Sequence, residues 1–600
     1  MTRRFIILSL AFIITLSCFV SLLGCDINKK RTVIDVYGDG FNVNMVVGFD
    51  QQGRTVNAVY NEDDEKEIGL FYFLWLNKQG GPYVNSKILE KYGVEGLLQK
   101  DLPGISPAGA YHWWDEPLFG FYNSNDDWVI RKHLEMFVYS GIDFLVFDTT
   151  NAVTYTETYM KVLKIANEML ESGWDVPKMA FFTHTRSVKT ITDIYNNLYA
   201  KNLYPDTWYK IDGKPMIIGT VTEDDPLSPE IAEFFHLRTA KWPQDPTTDT
   251  AWPFTEWVYP QPLNGNMMSV SVATHPALPF SASLSRGNLN WGRGYNVKTA
   301  QNVAADVYKG TFFQSQWQTV FEVQPEIVFI TGWNEWIAGK YPFDGEYSFC
   351  DNVNLEFSRE IEPMRGGYED AFYIQMMMNV RKYKYESMDN YIAKSTKKKI
   401  DILFGDLSQW DDVNAIYRNI NIANIPRDYL TGYAKESDGD RYTQDAARNN
   451  IEYIKVTCNE RYLYFLIKCD KPIVETDGNN FMNIFIGLGE KPSMTKGWES
   501  YEYVINRTRP YDPYSNVEKF TYIEKLSSSF VGERCGEGSY FIKDDYMQFQ
   551  IPRDEIGLKK GGSFYFKVSD GVENYNDIMS YYESGISMPI GRLSFLYQID

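Results

Sequence analysis

The segment Trp333-Asn334-Glu335-Trp336 carries the clearest chemical signal in this chain. It follows the apolar run Ile327–Thr331, which has the length and composition of a buried strand. A glutamate between two tryptophans at such a strand end is expected to be partly desolvated, and burial raises the pKa of a carboxyl group toward values that suit a general acid or base. Glu335 is therefore predicted to be a catalytic carboxylate. The structural alternative is that it pairs with an arginine, such as Arg286 or Arg293.

Further polar side chains follow other apolar runs. Asp148 and Asn151 close one run, and Glu256 with Trp257 belongs to another. Cleavage of a glycosidic bond needs one acid to protonate the leaving oxygen and a second carboxylate as base or nucleophile. Asp148 is the first choice for the second catalytic carboxylate because it ends a strand. The other candidates are Glu256, Asp344, Glu346 and Asp351.

Eight strand-like apolar runs between residues 67 and 392 alternate with helical segments. This order predicts a parallel sheet closed into a (β/α)8 barrel, whose active site lies at the carboxyl ends of the strands. Long helices are missing between the fifth, sixth and seventh runs, which leaves the number of strands open by one. The predicted strands are Ile68–Trp75, Asp143–Asp148, Met179–Thr183, Met216–Gly219, Phe234–Thr239, Thr255–Tyr259, Met267–Thr274 and Ile327–Thr331.

Aromatic residues make up 16% of the chain. Many fill cores, but an exposed ring also packs on the C–H face of a sugar. Aromatic and amide side chains near the strand ends are therefore predicted to bind a polysaccharide or glycan. For the adjacent Trp113 and Trp114, the alternative is that one ring is core and the other covers it. The predicted substrate-binding residues are Tyr72, Trp75, Trp113, Trp114, Asn151, Trp257, Trp333 and Asn334.

Beyond residue 392 the pattern changes to short runs with period-2 alternation and turn signals. Residues 393–600 are therefore predicted to form an all-β sandwich. The predicted strands are Tyr453–Cys458, Tyr462–Lys468, Asn483–Gly487, Tyr501–Asn506, Met547–Ile551, Ser563–Val568 and Arg592–Tyr597.

Residues 1–24 have the pattern of a lipoprotein signal peptide. Arg3 and Arg4 precede the apolar run Phe5–Leu23, and Gly24 leads directly into Cys25. Cys25 is predicted to be lipidated, so that the exported protein is anchored to a membrane of the cell envelope, on a face that the sequence leaves open. The alternatives are an ordinary signal peptide and a retained membrane anchor. Residues 25–66 are predicted to be a tether and an irregular lead-in.

Charge and cysteine usage exclude several functions. The net charge of −20 argues against nucleic acid as a partner, because phosphate binding needs a basic surface. Four cysteines remain beyond Cys18 and Cys25, without the spacing of a zinc site or a disulfide framework. His184 and His275 end strands but belong to no metal-ligand constellation, so no metal or other cofactor is predicted in the barrel.

Residues 67–385 resemble barrels of glycoside hydrolase families 71 and 99. The resemblance rests on the final strand with its Asn334-Glu335-Trp336 signature, on the run Gly69–Trp75, on Gly141–Asp148 with Asn151, and on Glu356–Met364. It implies an endo-acting glycosidase in which Glu335 is the base. The second catalytic glutamate of family 99 would stand at position 338, which is an alanine here, so the resemblance supplies no proton donor.

The opening of the C-terminal module, Gly405–Trp410, resembles that of family 9 carbohydrate-binding modules, as do Tyr462–Phe465 and Gly497–Tyr503. That resemblance implies a sandwich that holds sugar between aromatic rings, in some members with calcium. The alternative is that Trp410 and Trp498 are core residues.

Two hypotheses follow for the chain. The first is a lipid-anchored endo-acting glycoside hydrolase in which Glu335 is base or nucleophile and Asp148 is the proton donor. The second is a non-catalytic glycan-binding lipoprotein that uses the same aromatic barrel mouth, and Ala338 favours this alternative.

Overall fold

A computed structural model describes residues 31–38, 40–77, 80–403, 406–432, 441–511 and 518–599. The predicted signal peptide and Cys25 lie outside these residues, and their assignment stays a prediction. Among the helices in the described ranges, none combines the length and the apolar composition that a bilayer crossing requires.

Eight parallel strands form a nearly closed barrel, which confirms the (β/α)8 prediction. Hydrogen-bonded ladders join the first six strands in chain order and connect the first strand to the eighth and the eighth to the seventh. The sixth and seventh strands share no ladder, but Thr255 bonds Ser271 between them through their hydroxyl groups, 2.8 Å apart. The strands are β1 Glu67–Tyr72, β2 Phe144–Thr149, β3 Lys178–Thr183, β4 Lys214–Gly219, β5 His236–Lys241, β6 Ala251–Pro253, β7 Met267–Ser271 and β8 Ile327–Thr331.

Alternation along each strand decides which side chains fill the barrel. Phe71 of β1 packs inside against Phe182 of β3 and Phe329 of β8, with both ring centroids 5.7 Å away. Its neighbour Tyr72 points outward, where its ring lies 6.2 Å from Phe137 of a surrounding helix. Successive strand residues face opposite sides, so one aromatic lines the interior while the next packs the helical layer.

Helices cover the outside of the barrel, except after β5 and β6. Helix α1 begins at Asp126, whose side chain accepts a hydrogen bond from the backbone N–H of Trp128, and it ends at Gly141 with φ 74°. The helices are α1 Asp127–Ser140, α2 Thr156–Glu171, α3 Ser187–Ile194, α4 Pro229–Phe234, α5 Thr311–Val323 and α6 Ala371–Lys384.

A small sheet stands beside the barrel mouth. Its central strand Tyr111–Trp113 pairs in parallel with Gly80–Val84 and antiparallel with Ile337–Gly339, which follows β8. Helix Asn85–Leu98 belongs to the same insertion after β1. The long β1–α1 connection therefore reaches the segment that carries Glu335.

The C-terminal region is an antiparallel sheet folded on itself. Its strands in ladder order are 416–418, 451–458, 462–469, 546–552, 532–543, 519–526, 503–505, 483–488, 564–570 and 594–597. Phe465 and Phe566 lie on strands six ladders apart, yet their ring centroids are only 5.3 Å apart. Strands in a flat sheet are about 4.8 Å apart, so the two ends pack face to face as a sandwich.

The lead-in differs from the irregular segment that the sequence predicted. Val46–Phe49 extends the C-terminal sheet by pairing with Ser594–Tyr597, and Thr32–Ile34 pairs with Tyr391–Ala393. Val46 and Val47 are fully buried in this position. Burial of their apolar side chains explains why this segment is ordered as a strand.

The barrel and the sandwich share buried ion pairs. Arg592 of the sandwich donates to Asp370 at 2.9 Å and also contacts Glu369 and Glu499. Arg427 bonds Asp126, the residue that caps α1, at 2.8 Å. These contacts tie the sandwich to the helical layer of the barrel.

Two strand positions were predicted wrongly. The fifth strand begins two residues later than expected, and the sixth lies at Ala251–Pro253 instead of Thr255–Tyr259. Trp252 supplies the reason, because its fully buried ring packs 5.4 Å from Phe329 of β8. Glu256 and Trp257 consequently lie after the strand, not on it.

Candidate functional site

A cavity of about 470 Å³ opens at the carboxyl ends of the barrel strands. Three carboxylates line it, those of Glu335, Asp148 and Asp351, together with Arg359. Its aromatic wall includes Phe73, Trp75, Tyr111, Tyr155, Trp242 and Tyr341. Acidic groups and ring faces thus converge where a barrel of this class carries its active site.

Contacts of the two neighbouring residues, Asn334 and Trp336, position Glu335. The Asn334 side chain accepts a hydrogen bond from the backbone N–H of Phe73 at 2.9 Å and donates to the carbonyl of the same residue at 3.2 Å. Trp336 stacks on Trp114 with centroids 4.9 Å apart. Glu335 lies between these two fixed residues and faces the cavity.

The buried carboxylate of Glu362 holds this loop from behind. It accepts hydrogen bonds from Trp336 Nε1 at 2.5 Å, Tyr122 Oη at 2.8 Å and His133 Nε2 at 2.8 Å. His133 in turn contacts the Tyr72 hydroxyl at 3.0 Å. Hydrogen bonds to a buried carboxylate are strong, so this network fixes the orientation of the segment that carries Glu335.

One guanidinium nitrogen bridges two of the three carboxylates. Arg359 Nη2 donates to Glu335 Oε2 at 3.1 Å and to Asp351 Oδ1 at 2.9 Å. Because both oxygens bond the same nitrogen, they lie no more than about 6 Å apart. Carboxyl groups about 5–5.5 Å apart are typical of retaining glycosidases, whereas inverting enzymes separate them by about 6.5–9.5 Å.

The two bridged carboxylates differ in exposure. The side chain of Glu335 is 9% exposed and that of Asp351 is 40% exposed. Burial raises the pKa of Glu335 well above its ordinary value, and the positive charge of Arg359 only partly opposes this. The burial of Glu335 therefore favours the protonated form of this carboxyl group.

Asp148 lies on the β2 side of the same cavity and is also buried. Its Oδ1 accepts hydrogen bonds from the backbone N–H of Thr150 at 3.0 Å and from the Thr150 hydroxyl at 2.7 Å. Burial raises the pKa of Asp148, and the bonds from Thr150 oppose that rise. Asn151 and Trp75, two of the predicted substrate-binding residues, line this part of the cavity.

Five predicted substrate-binding residues are buried away from the cavity, and the structure corrects their assignment. Tyr72 and Asn334 serve the hydrogen-bond networks described above. Trp333 packs outside the barrel, 4.7 Å from Phe137 of α1. Trp113 and Trp114 are both fully buried, so neither ring of this pair covers the substrate. Tyr111, at the start of the same loop, reaches the cavity instead.

Trp257 also lies outside the cavity lining. It follows β6 and packs edge-on against His275, with ring centroids 6.0 Å apart. The earlier position of β6 explains this, because Phe254 takes the place that the predicted strand gave to Trp257.

Three alternative carboxylates are paired with cations elsewhere. Both oxygens of Glu256 bond Lys241 at 2.8 Å in the protein interior. Asp344 and Glu346 bind Arg286 at 2.7 and 3.1 Å on the surface. Of the alternative candidates, only Asp351 lines the cavity.

The arginine beside Glu335 is Arg359, whereas Arg286 and Arg293 were the candidates from the sequence. Arg293 instead bonds the Glu360 carbonyl at 2.8 Å. Trp242 was also missed. It directly follows β5, which ends at Lys241 and not at Thr239 as predicted, so the strand-end rule finds Trp242 once the strand has its correct end. Arg359 lies in an irregular return loop after β8, where the strand-end rule does not apply; its only signal was its place in the family-like stretch Glu356–Met364.

His275, Cys350 and Asp351 form the one described group whose donor atoms are close enough for a shared metal ion, all within 4.8 Å. Arg359 Nη1 donates to His275 Nδ1 at 3.1 Å, so the ring proton belongs on Nε2, which faces Cys350 Sγ at 3.8 Å. Burial lowers the pKa of His275 to about 4, so the ring is neutral. A metal at Nε2 would have to displace that proton beside a guanidinium, and the group does not fit one.

Comparison with known proteins gives structural similarities only. No protein-family model and no curated protein sequence matches the chain. A GH99 endo-α-mannosidase from Bacteroides thetaiotaomicron is similar over 53% of this chain and 98% of its own, at 14% identity and a TM-score of 0.32. A protein described as glycoside hydrolase-like covers 55% of this chain and 96% of its own, at 13% identity and a TM-score of 0.29.

Proposed function

We propose that this chain is a glycoside hydrolase that cleaves a polysaccharide or glycan inside the chain, and that lipid on Cys25 anchors it to the cell envelope. The observation that carries the proposal is the meeting of Glu335, Asp351 and Asp148 in one aromatic-walled cavity at the barrel mouth. The anchor follows from the sequence around Cys25, and the endo mode from the family resemblance.

Burial and spacing suggest roles for the carboxylates. Glu335, whose pKa burial raises, donates its proton to the glycosidic oxygen as the bond to the leaving group breaks. Asp351, ion-paired with Arg359 and the more exposed of the two, attacks the anomeric carbon and forms a glycosyl ester. Water then hydrolyses the ester, with Glu335 acting as the base. Glu335 is thus the acid of the first step and the base of the second, whereas the family resemblance implied a base.

The spacing supports retention of configuration. The two oxygens bonded to one guanidinium nitrogen lie within about 6 Å of each other, nearer the roughly 5–5.5 Å of retaining enzymes than the roughly 6.5–9.5 Å gap in which an inverting enzyme holds its water. Asp148, the proton donor expected from the sequence, lines the same cavity from the end of β2 and is suited to bind a sugar hydroxyl. Trp75, Tyr111 and Trp242 offer ring faces for the sugar.

A non-catalytic glycan-binding protein is the second candidate. Ala338 lines the cavity at the position where family 99 would carry its second catalytic glutamate. On this alternative, Arg359 holds the carboxylates as hydrogen-bond acceptors for sugar hydroxyls, and no bond is cleaved.

Product release separates the two candidates. The lipid-free chain from Asp26 and its Glu335→Gln variant would be incubated with α-mannans, α- and β-glucans, arabinans and xylans. The hydrolase predicts oligosaccharides from the wild type and a loss of about 10²–10⁴-fold in the variant. If neither releases product while one polysaccharide retards both in an affinity gel, the binding protein is correct and Glu335 is not catalytic.

A further inference from the structure

A groove of about 660 Å³ on the sandwich is lined by basic side chains and shares no lining residue with the barrel cavity. Lys397, Lys398 and Lys399 enter it from the joint after the barrel, and Arg553 and Lys560 enter it from the sandwich. Such a concentration of positive charge is unexpected in a chain with a net charge of −20.

Nearby acids compensate this charge only in part. Lys398 pairs with Asp412 at 2.5 Å. Lys560 and Glu460 are 4.0 Å apart and both about nine-tenths exposed, so water screens their attraction. Among the described residues, Lys399 and Arg553 have no ion-pair partner, so this part of the chain gives the groove a local excess of positive charge.

Arg553 adds a buried cation to the groove wall. Only 4% of the residue is exposed, and its guanidinium donates to the carbonyls of Asn459 and Lys559 at 2.8 and 2.6 Å. Its buried Nε has no hydrogen-bond partner, and no carboxylate of the described residues lies within ion-pair distance. A buried charge with neutral partners is stabilised by an anion.

The N-terminal segment leaves the fold beside this groove. Arg31 donates to Glu490 through its two terminal guanidinium nitrogens, at 2.5 and 2.8 Å. The same carboxylate accepts from Ser563 at 3.2 Å and Gln598 at 3.1 Å. Ile599, which follows Gln598, lines the groove.

The short segment between Cys25 and Arg31 limits the distance between the groove and the lipid anchor. Arg31 lies six positions after Cys25, and a fully extended chain spans about 3.3–3.6 Å per residue. The bilayer surface would therefore lie within about 20 Å of Arg31. The stretch between them also contains Lys29 and Lys30.

We propose that this basic groove binds the phosphate headgroups of anionic lipids in the membrane that holds the chain. The inference rests on the proposed lipid anchor and is independent of the hydrolase chemistry. It assigns the sandwich a membrane-facing surface. The first described strand, Thr32–Ile34, pairs with Tyr391–Ala393, in the joint between α6 and the sandwich.

Vesicle sedimentation tests the proposal with the lipid-free chain from Asp26. Vesicles of phosphatidylcholine alone would be compared with vesicles that also contain phosphatidylglycerol. The test variant replaces Lys398, Lys399 and Lys560 together by alanine. A matched control replaces Lys164, Lys189 and Lys201, three exposed lysines of the barrel region, and has the same net charge.

Each basic residue beside an anionic membrane strengthens binding by about fivefold, so the groove variant is expected to bind phosphatidylglycerol vesicles about a hundredfold more weakly than the control. Equal binding by the two variants, or no preference of the wild type for anionic vesicles, would overturn the proposal. Groove-dependent binding to polygalacturonate without binding to vesicles would also overturn it, and would identify an anionic polysaccharide as the occupant. Product release by the same proteins in solution tests the proposed hydrolase activity separately from membrane binding.

Discussion

Replacing Arg359 with methionine removes the guanidinium that contacts both Glu335 and Asp351. A unit charge about 4 Å from a carboxylate contributes about 4 kcal/mol at an effective dielectric constant of about 20. The Arg359 charge lowers the pKa of Glu335 against the larger effect of burial, so its loss should raise that pKa further.

The sign of the effect on activity follows from the proposed role of Glu335. The protonated carboxyl is the active form, so kcat/KM falls as the pH rises through the pKa of Glu335. In Arg359→Met this alkaline limb should move to higher pH while the maximum rate decreases, because Asp351 loses its partner and a weaker acid protonates the leaving group less readily. The measurement is kcat/KM against pH on the polysaccharide that the wild type cleaves.

Two variants control this experiment. Arg359→Lys keeps the charge and should leave the alkaline limb within about one pH unit of the wild type. Arg286→Met removes an arginine that binds Asp344 and Glu346 outside the cavity, and should leave the profile unchanged. The assignment of Glu335 as the proton donor is refuted if the alkaline limb of Arg359→Met stays in place. This conclusion requires that Arg359→Met unfolds at the wild-type temperature, or that Arg359→Lys has restored activity.

Three further predictions concern the scaffold and the substrate wall. Glu362→Gln replaces one buried acceptor oxygen with an NH2 group that cannot accept from its present donors, and should destabilise the protein by about 1–3 kcal/mol, measured by chemical denaturation; an unchanged unfolding midpoint would contradict the role of this network. Arg592→Met leaves Asp370 buried without its cation, and should make the junction between barrel and sandwich sensitive to limited proteolysis, whereas wild-type resistance would argue against a structural role for the pair. Trp242→Ala should raise KM by about 2- to 10-fold with little change in kcat, and an unaltered KM would exclude this ring from the sugar-binding surface.

The barrel was predictable because most of its strands are marked by local sequence patterns. Ile327–Thr331 was predicted with the bounds that the structure shows, since this apolar run is bordered by Pro325 and Gly332. The sixth strand was not, because only three residues pair and its burial depends on Trp252 packing across the barrel. No short-range pattern contains that contact.

The candidate site was predictable to the level of strand ends. That rule found Glu335, Asp148, Asn151 and Trp75, which all line the cavity. It failed for Tyr72, where the period of two along the strand places the neighbouring Phe71 inside and turns Tyr72 outward. Applied to the run Gly69–Trp75, strand alternation selects Phe71, Phe73 and Trp75 for the cavity, and all three line it.

Long-range contacts account for the rest. Arg359 reaches Glu335 from an irregular loop, and its place in the family-like stretch Glu356–Met364 does not predict this contact. Val46 lies opposite Phe595, near the other end of the chain. Pairings of this kind depend on the completed fold, so the sequence alone predicted a loose lead-in where the structure has a strand.

Carboxylate replacement tests the central claim most directly. Reducing-end release from a cleaved polysaccharide would be measured for the wild type, Glu335→Gln, Asp351→Asn and Asp148→Asn, with Glu322→Gln on a helix position outside the cavity as the matched control. The proposed chemistry predicts losses of about 10²–10⁴-fold in Glu335→Gln and Asp351→Asn, a smaller loss in Asp148→Asn and full activity in Glu322→Gln. Wild-type activity in Glu335→Gln, with correct folding, would contradict the account.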